Sequence, residues 1–384
     1  MSVQIDPKLF NRHKNDYGNL DIILGSDPGL LDSLHNNHPE GFTIYKTLRK
    51  QDWPHDEFDL SNCKVEFQTN PKPIYNKMIR TLAWQWEADS IASRSIVNVL
   101  SNVVTDSHIW TGYVRINDNE NVHALTYSEI VRASFDNPSE ILDEVLKVEE
   151  AHARMEIVAR TMSTGRKAAL RYALGEREND QSLYNDIFMY LVALYFLERV
   201  QFMSSFAMTF ALDQAGYFKQ IATAVQKIAQ DEFEIHAQYG QYVLKQLLKS
   251  ERGLRAFREC RGQIIILLWE ILITEGRWVK YLFSDGYDLP GVNAVNTTKW
   301  SLYNGFIAGD FFGITDDLIA AYGDQYEAEL GIDFKRIDRN PLMFMQNYLD
   351  ISSIQRSIQE EDPNDYASDP VDRSNEADEF DVEF

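Results

Sequence analysis

From about residue 73 to residue 321 the chain repeats one pattern: apolar residues return every three or four positions, with polar residues between them. That period belongs to an α-helix with one buried face. It predicts helices over 73–104, 117–135, 138–172, 182–212, 217–249, 254–284 and 293–321. Chain breakers fall between them, as in Ser284-Asp285-Gly286 and Leu289-Pro290-Gly291. No segment repeats at a fixed period, and few alternate strictly enough to be strands, so the expected class is all-α. The first 70 residues are mixed, with turn-forming pairs such as Asp27-Pro28 and Asn70-Pro71. The pattern stops at about residue 351. The chain therefore divides into an N-terminal arm (1–70), a helical domain (71–350) and a tail (351–384).

The tail reads EEDPNDYASDPVDRSNEADEFDVEF near its end, acidic and poor in apolar residues, as disordered segments are. Yet it closes on Phe380, Val382 and Phe384, spaced by two among acids. A solvated tail needs no such residues; a docking peptide does, because apolar side chains supply the burial energy.

Composition narrows the function classes. A chain of 384 residues that is 44% hydrophobic can bury a sizeable core. No apolar run comes near the roughly 20 residues of a membrane span, and the start, MSVQIDPKLFNRHKNDYG, has no apolar leader core. Only Cys63 and Cys260 are present, which suits reduced thiols in the cytoplasm rather than a disulfide framework. The net charge of -22 disfavours nucleic-acid phosphates as partners. Arg356 to Phe384 carries 11 acidic residues against two arginines.

Two short motifs carry candidate chemistry. Glu120 and His123 are three residues apart, and Glu232 and His236 are four apart. Either offset brings carboxylate and imidazole to one face of a helix. Tyr127 follows Glu120 by two turns on that face. Glu198 is an acid in the long apolar run LVALYFLERVQFMSSFAMTF, with Phe202 and Phe206 one and two turns on. A buried carboxylate must be paired, protonated or bound to metal. Asp89, in TLAWQWEADSIASRSIVNVL, is a plausible fourth acid. Val225 and Ile228 form an apolar wall before Glu232. A single Glu-x-x-His pair arises by chance on solvated helices. Two pairs with two further acids in apolar helices are the donor set of a pair of metal ions. Oxygen-rich ligation with two imidazoles suits iron or manganese better than structural zinc.

With these segments in view, the chain resembles the small, radical-generating subunit of class I ribonucleotide reductase. The matching segments are ADSIASRS, ENVHALTYSEIVR, LERVQFMSSFAMTF, KIAQDEFEIHAQYGQ and RWVKYLFSDG, in that order, within a resemblance over roughly residues 45–350. The resemblance implies a ferritin-like helical bundle holding two iron ions per chain, with manganese or a mixed pair as alternatives. Asp89, Glu120 and His123 would bind one metal, and Glu198, Glu232 and His236 the other, with bridging carboxylates. Oxygen would then convert Tyr127 to a tyrosyl radical. Trp53 in RKQDWPHDEFD and Asp231 match the family's relay to the large catalytic subunit, which makes deoxyribonucleotides from ribonucleotides; the family completes the relay with a tail tyrosine, and Tyr366 is the only tyrosine after Tyr348. The resemblance also implies a homodimer whose C-terminal tail docks that subunit. Other readings of the residues are a related di-metal oxidase acting on a bound lipid or small molecule, and a helical scaffold without metal.

One departure matters. The family's second pair is Glu-x-x-His, whereas Glu232 and His236 are four apart. Either a regular α-helix carries the wider pair on one face, or the extra residue is absorbed as a single π-turn. The regular helix favours Glu232 as the ligand; a bulge could promote Glu234.

Overall fold

The computed structural model describes residues 6, 9–13, 21–31 and 34–351. Tyr366, Phe380, Val382 and Phe384 lie outside the described residues. Within the N-terminal arm lie α1 (Pro39–Lys50) and α2 (Cys63–Thr69), two short helices inside the stretch read as mixed. The long helices are α3 (Lys72–Leu100), α4 (Ser107–Ser134), α6 (Glu149–Ala173) and α11 (Glu251–Leu282). Between α6 and α11 run two continuous helices, each widened once. α7 (Gln181–Phe196) passes through a π-helical turn at Leu197–Gln201 into α8 (Phe202–Gln214). α9 (Lys219–Gln230) passes through a second π-helical turn at Asp231–His236 into α10 (Ala237–Leu247). The remaining helices are α5 (Pro138–Val145), α12 (Ala294–Phe312), α13 (Thr315–Leu330) and α14 (Met345–Leu349). Among the described residues there is no named strand, only isolated bridges at Ile23–Val104 and Leu289–Val292.

Several boundaries differ from the periodicity reading for local reasons. α4 starts ten residues early because the Asp106 side chain accepts from the His108 and Ile109 amides, which caps the first turn. The stretch 138–172 is two helices broken around Leu146–Val148. The stretch 293–321 is also two: Gly313, at φ 63°, ends α12 in the left-handed conformation that glycine adopts without steric cost.

The continuous helix Gln181–Gln214 forms the centre of the bundle. By length and composition it could cross a membrane, but 94% of its most apolar window is buried inside the protein. α6 and α11 pack against α7, and α3, α9 and α12 against α8. α3 and α4 make the most extensive pairing of the fold. Close approach of α4 and α10 depends on Gly112: an added Cβ would lie 2.0 Å from the Tyr239 hydroxyl oxygen, which is fixed by the Ile109 carbonyl at 3.0 Å. The pairings α3–α4, α8–α9 and one π-turn with the other bring four chain segments rich in acids to one place in the core.

Candidate metal centre

Asp89 comes to this place from α3, Glu120 and His123 from α4, Glu198 from the first π-turn, and Glu232 and His236 from the second. All six are buried. They form two overlapping groups of four. One is Asp89, Glu120, His123 and Glu232; the other is Glu120, Glu198, Glu232 and His236. Within each group, one donor atom per residue lies within 4.8 Å of all the others. Glu120 and Glu232 belong to both groups, which is the position of a carboxylate shared by two cations.

The imidazoles are oriented alike. His123 turns Nδ1 to Glu232 Oε1 at 2.8 Å and Nε2 to Asp231 Oδ2 at 3.2 Å. His236 turns Nδ1 to Glu232 Oε2 at 2.7 Å and to Glu120 Oε1 at 3.1 Å, and Nε2 to Asn119 Oδ1 at 2.9 Å. Each ring therefore offers Nδ1 inward and ties its other nitrogen to an oxygen outside the cluster. Outer partners of that kind orient the rings of metal-binding histidines.

Trp53 extends this network. Its Nε1–H donates to Asp231 Oδ2 at 2.9 Å, the oxygen that also accepts from Asn119 Nδ2 at 3.2 Å. The indole stacks on the His123 ring, with centroids 5.7 Å apart and planes 18° apart. Beside it, Arg115 bridges Asp52 and Asp118, tying the Trp53 loop to α4. Tyr127 is fully buried, and its hydroxyl has no hydrogen-bond partner among the described residues. Phe202 stacks on Phe206 at 5.4 Å and lies 6.4 Å from Trp84. Val225 and Ile228 are fully buried. Glu234 lies in the same π-turn but is partly exposed, and it accepts from Gln238 Nε2 at 2.6 Å.

The electrostatics call for a cation. Burial, and then the charges of Glu120 and Glu232, push Asp89 well above the usual carboxylate range. Burial and the same two glutamates do this to Glu198. Burial and Glu232 also raise Glu120. Glu232 resists burial and stays low because His236 and His123 face it. Both oxygens of Asp89 and of Glu198 lack a hydrogen-bond partner. Buried carboxylates in that state are costly as anions. Two divalent ions would neutralise them and occupy their open coordination sites, so the donor set fits a metal pair.

Comparison with known proteins supplies the decisive observation. The family model described as "Ribonucleotide reductase, small chain" matches residues 34–305. The chain belongs to this family. Ribonucleotide reductase small chains work with a large subunit. Among relatives, the ribonucleoside-diphosphate reductase subunit beta of Enterobacteria phage T4 is 25% identical over 316 residues, covering 76% of this chain and 80% of that one. The subunit beta of Haemophilus influenzae is 22% identical over 389 residues, covering 97% and 98%. The R2 subunit from Clostridium botulinum superposes with a TM-score of 0.69 at 17% identity, covering 89% of this chain and 98% of that one. A Streptococcus sanguinis protein titled dimanganese(II)-NrdF gives 0.61 at 17%, covering 74% and 92%. The fold is thus the ferritin-like bundle of the family's small chain.

Sequence reasoning missed Asn119, which touches both Asp231 and His236. A signal existed, because Asn119 stands four residues before His123 on one face of α4. It also missed the buried pair Arg154–Glu275, whose members are 121 positions apart and carry no local pattern.

Proposed function

We propose that this chain is the radical-generating small subunit of a ribonucleoside-diphosphate reductase. The observation that carries this reading is the pair of overlapping buried donor groups joined through His123 and Asp231 to Trp53. In it, Asp89, Glu120 and His123 would hold one metal and Glu198, Glu232 and His236 the other, and Glu120 and Glu232, present in both donor groups, would be open to both. Iron is the first candidate; manganese or a mixed pair uses the same oxygen-rich ligands. When bound, the metal pair supplies the oxidising reaction with O2.

The chain's own residues determine where the oxidising equivalent goes. Tyr127 is the electron donor. Burial and the charges of Asp89, Glu232 and Glu120 hold its phenol firmly protonated, so it faces the centre as a neutral phenol. Its burial keeps water and reductants from the resulting radical. Trp53 is the exit: an indole that loses an electron becomes acidic at Nε1, and the Asp231 carboxylate already accepts that hydrogen bond. Asn119 and His123 hold the same Asp231 oxygen in place. Tyr366 completes the relay in the tail, and Phe380, Val382 and Phe384 dock the tail on the large subunit. The chain acts as a homodimer. Two buried free thiols, Cys63 and Cys260, suit a reducing cytoplasm.

The test begins from metal-free protein. Ferrous iron and O2 are added, with manganese in a parallel series, and metal content and the electron paramagnetic resonance spectrum are recorded. The expected result is two metals per chain and a tyrosyl signal that Tyr127→Phe removes without changing metal content. A tyrosyl signal that survives in Tyr127→Phe overturns the assignment of the radical. Two bound metals with no radical in either series favour an oxidase.

A further inference from the structure

We propose that Arg154 is a positioning residue: with Glu275 as its anchor, it holds the π-helical turn that carries Glu198. The proposal rests on Glu198 being a metal ligand, as above.

Both Glu198 oxygens lack a donor among the described residues. The one side chain that engages it is Glu232, itself in the donor cluster, so the backbone is what places it from outside, and that backbone is irregular. At Leu197–Gln201 the helix widens, and the Phe202 amide reaches back five residues to the Leu197 carbonyl. A widened turn disturbs the regular bonding of the helix, so neighbouring donors gain influence over it.

Arg154 on α6 provides such donors. Its Nη2 donates to the Gln201 carbonyl at 2.5 Å and to Ser204 Oγ at 3.3 Å, and its Nη1 to Ser205 Oγ at 3.1 Å. Gln201 Nε2 donates in return to the Arg154 carbonyl at 3.0 Å. The clamp is reciprocal, and it falls on the last residue of the turn. α12 also holds this stretch: Arg199 donates to Asn304, and Trp300 Nε1 donates to the Met203 carbonyl at 2.9 Å.

The guanidinium is itself held rigidly. It is fully buried and bonds both oxygens of Glu275, Nε to Oε1 at 2.7 Å and Nη2 to Oε2 at 2.9 Å. The rings of Trp84 and Trp278 flank it, 3.8 Å and 4.6 Å from their centroids. Ser204 Oγ donates to the same Glu275 carboxylate. A buried ion pair is seldom the most stable way to fill a core, since apolar residues of similar volume often do as well or better. What apolar residues cannot supply is a planar fork of donors aimed at Gln201, Ser204 and Ser205.

The test uses the full-length chain with Arg154 and Glu275 both replaced, Arg154→Met with Glu275→Met, so that no lone charge is buried. Arg154→Lys is the conservative variant. Two measurements are made on metal-free protein: amide hydrogen exchange along the chain, and titration with Mn(II) alone. In the double variant, exchange at Leu197–Ser205 should rise by about tenfold or more while α9 is unchanged. One of the two Mn(II) sites should weaken roughly 10–100-fold, the size of effect expected for outer partners of metal ligands. Lysine should be intermediate, because it keeps the charge and loses the fork. Wild-type exchange and wild-type affinity at both sites in the double variant overturn the proposal. Faster exchange everywhere with both sites weakened equally also overturns it, since that is a general packing defect. If the double variant does not fold, Arg154→Lys decides by the same local readouts. If the wild-type chain binds no Mn(II), the metal reading fails, and the exchange data alone decide the clamp.

Discussion

The two imidazoles of the centre bind protons most tightly in the absence of metal. Burial alone would lower His236, but Glu232 and Glu120 outweigh it and raise the imidazole to about 9. The Asp231 and Glu232 hydrogen bonds likewise outweigh burial at His123. A base whose folded pKa lies above its unfolded value of 6.5 stabilises the fold fully below pH 6.5, and loses that contribution as pH rises through about 9. Asp89 and Glu198 act in the same direction, because their raised pKa values mean that they also favour the protonated state. Metal-free protein should therefore lose thermal stability as pH climbs from 6.5 to 9, by a few degrees in melting temperature. Metal ions displace these protons, so Mn(II) affinity should rise over the same interval. Thermal melts of metal-free and Mn(II)-loaded protein across that interval check both slopes. A melting temperature of the metal-free protein that is flat with pH would mean that the carboxylates do not hold protons on the histidines.

At the scale of helices, the two π-turns do the placing. Glu232–His236 has one residue more than a Glu-x-x-His pair needs, and the widened turn Asp231–His236 absorbs it while Glu232 remains in the buried cluster. Glu234 faces Gln238 at the partly exposed side. Glu232→Ala is accordingly expected to empty one metal position, while Glu234→Ala keeps both; metal analysis of the two variants reads the outcome, and the reverse pattern would make Glu234 the ligand. The second π-turn was one of two alternatives open in the sequence, beside a regular helix, because a carboxylate–imidazole pair was stretched from three residues to four. The first was not: Glu198 is a lone acid with no paired residue to reveal an insertion, and the apolar pattern of Leu197–Gln201 and its flanks continues unbroken. For a similar reason periodicity joined α12 to α13, since Ile314 and Leu318 keep the apolar beat across Gly313. α1 and α2 went unread because they are short and sit among turn-forming residues. The long helices, the acids within them and their shared faces were legible because burial imposes a period on sequence. Arg154, Glu275 and Asn304 were not, because their partners lie on other helices and follow no spacing.

At the scale of the whole molecule, the small chain works with a large subunit, and the helical unit that ends at Leu349 carries the candidate metal centre without the tail. The remaining chain combines 11 acids between Arg356 and Phe384 with a closing set of apolar residues, Phe380, Val382 and Phe384, spaced as a docking peptide would need them. Metal binding and subunit docking should then separate cleanly. A chain lacking residues 365–384 is expected to take up two metals, form the radical and melt within about 1 °C of the full chain. Its turnover with the large subunit should fall by about a hundredfold or more. A peptide of residues 365–384 should inhibit the full-length pair by competition. Phe380→Ala or Phe384→Ala in that peptide should each weaken it by roughly tenfold, as loss of a buried aromatic anchor does. Tyr366→Phe divides the tail's two assigned roles: the peptide should compete as well as wild type, while the full chain carrying this change should bind the large subunit and not turn over. Full turnover by the truncated chain would leave the tail with neither role. Full turnover by Tyr366→Phe, with truncation still inactive, would keep docking and move the last relay step to another residue.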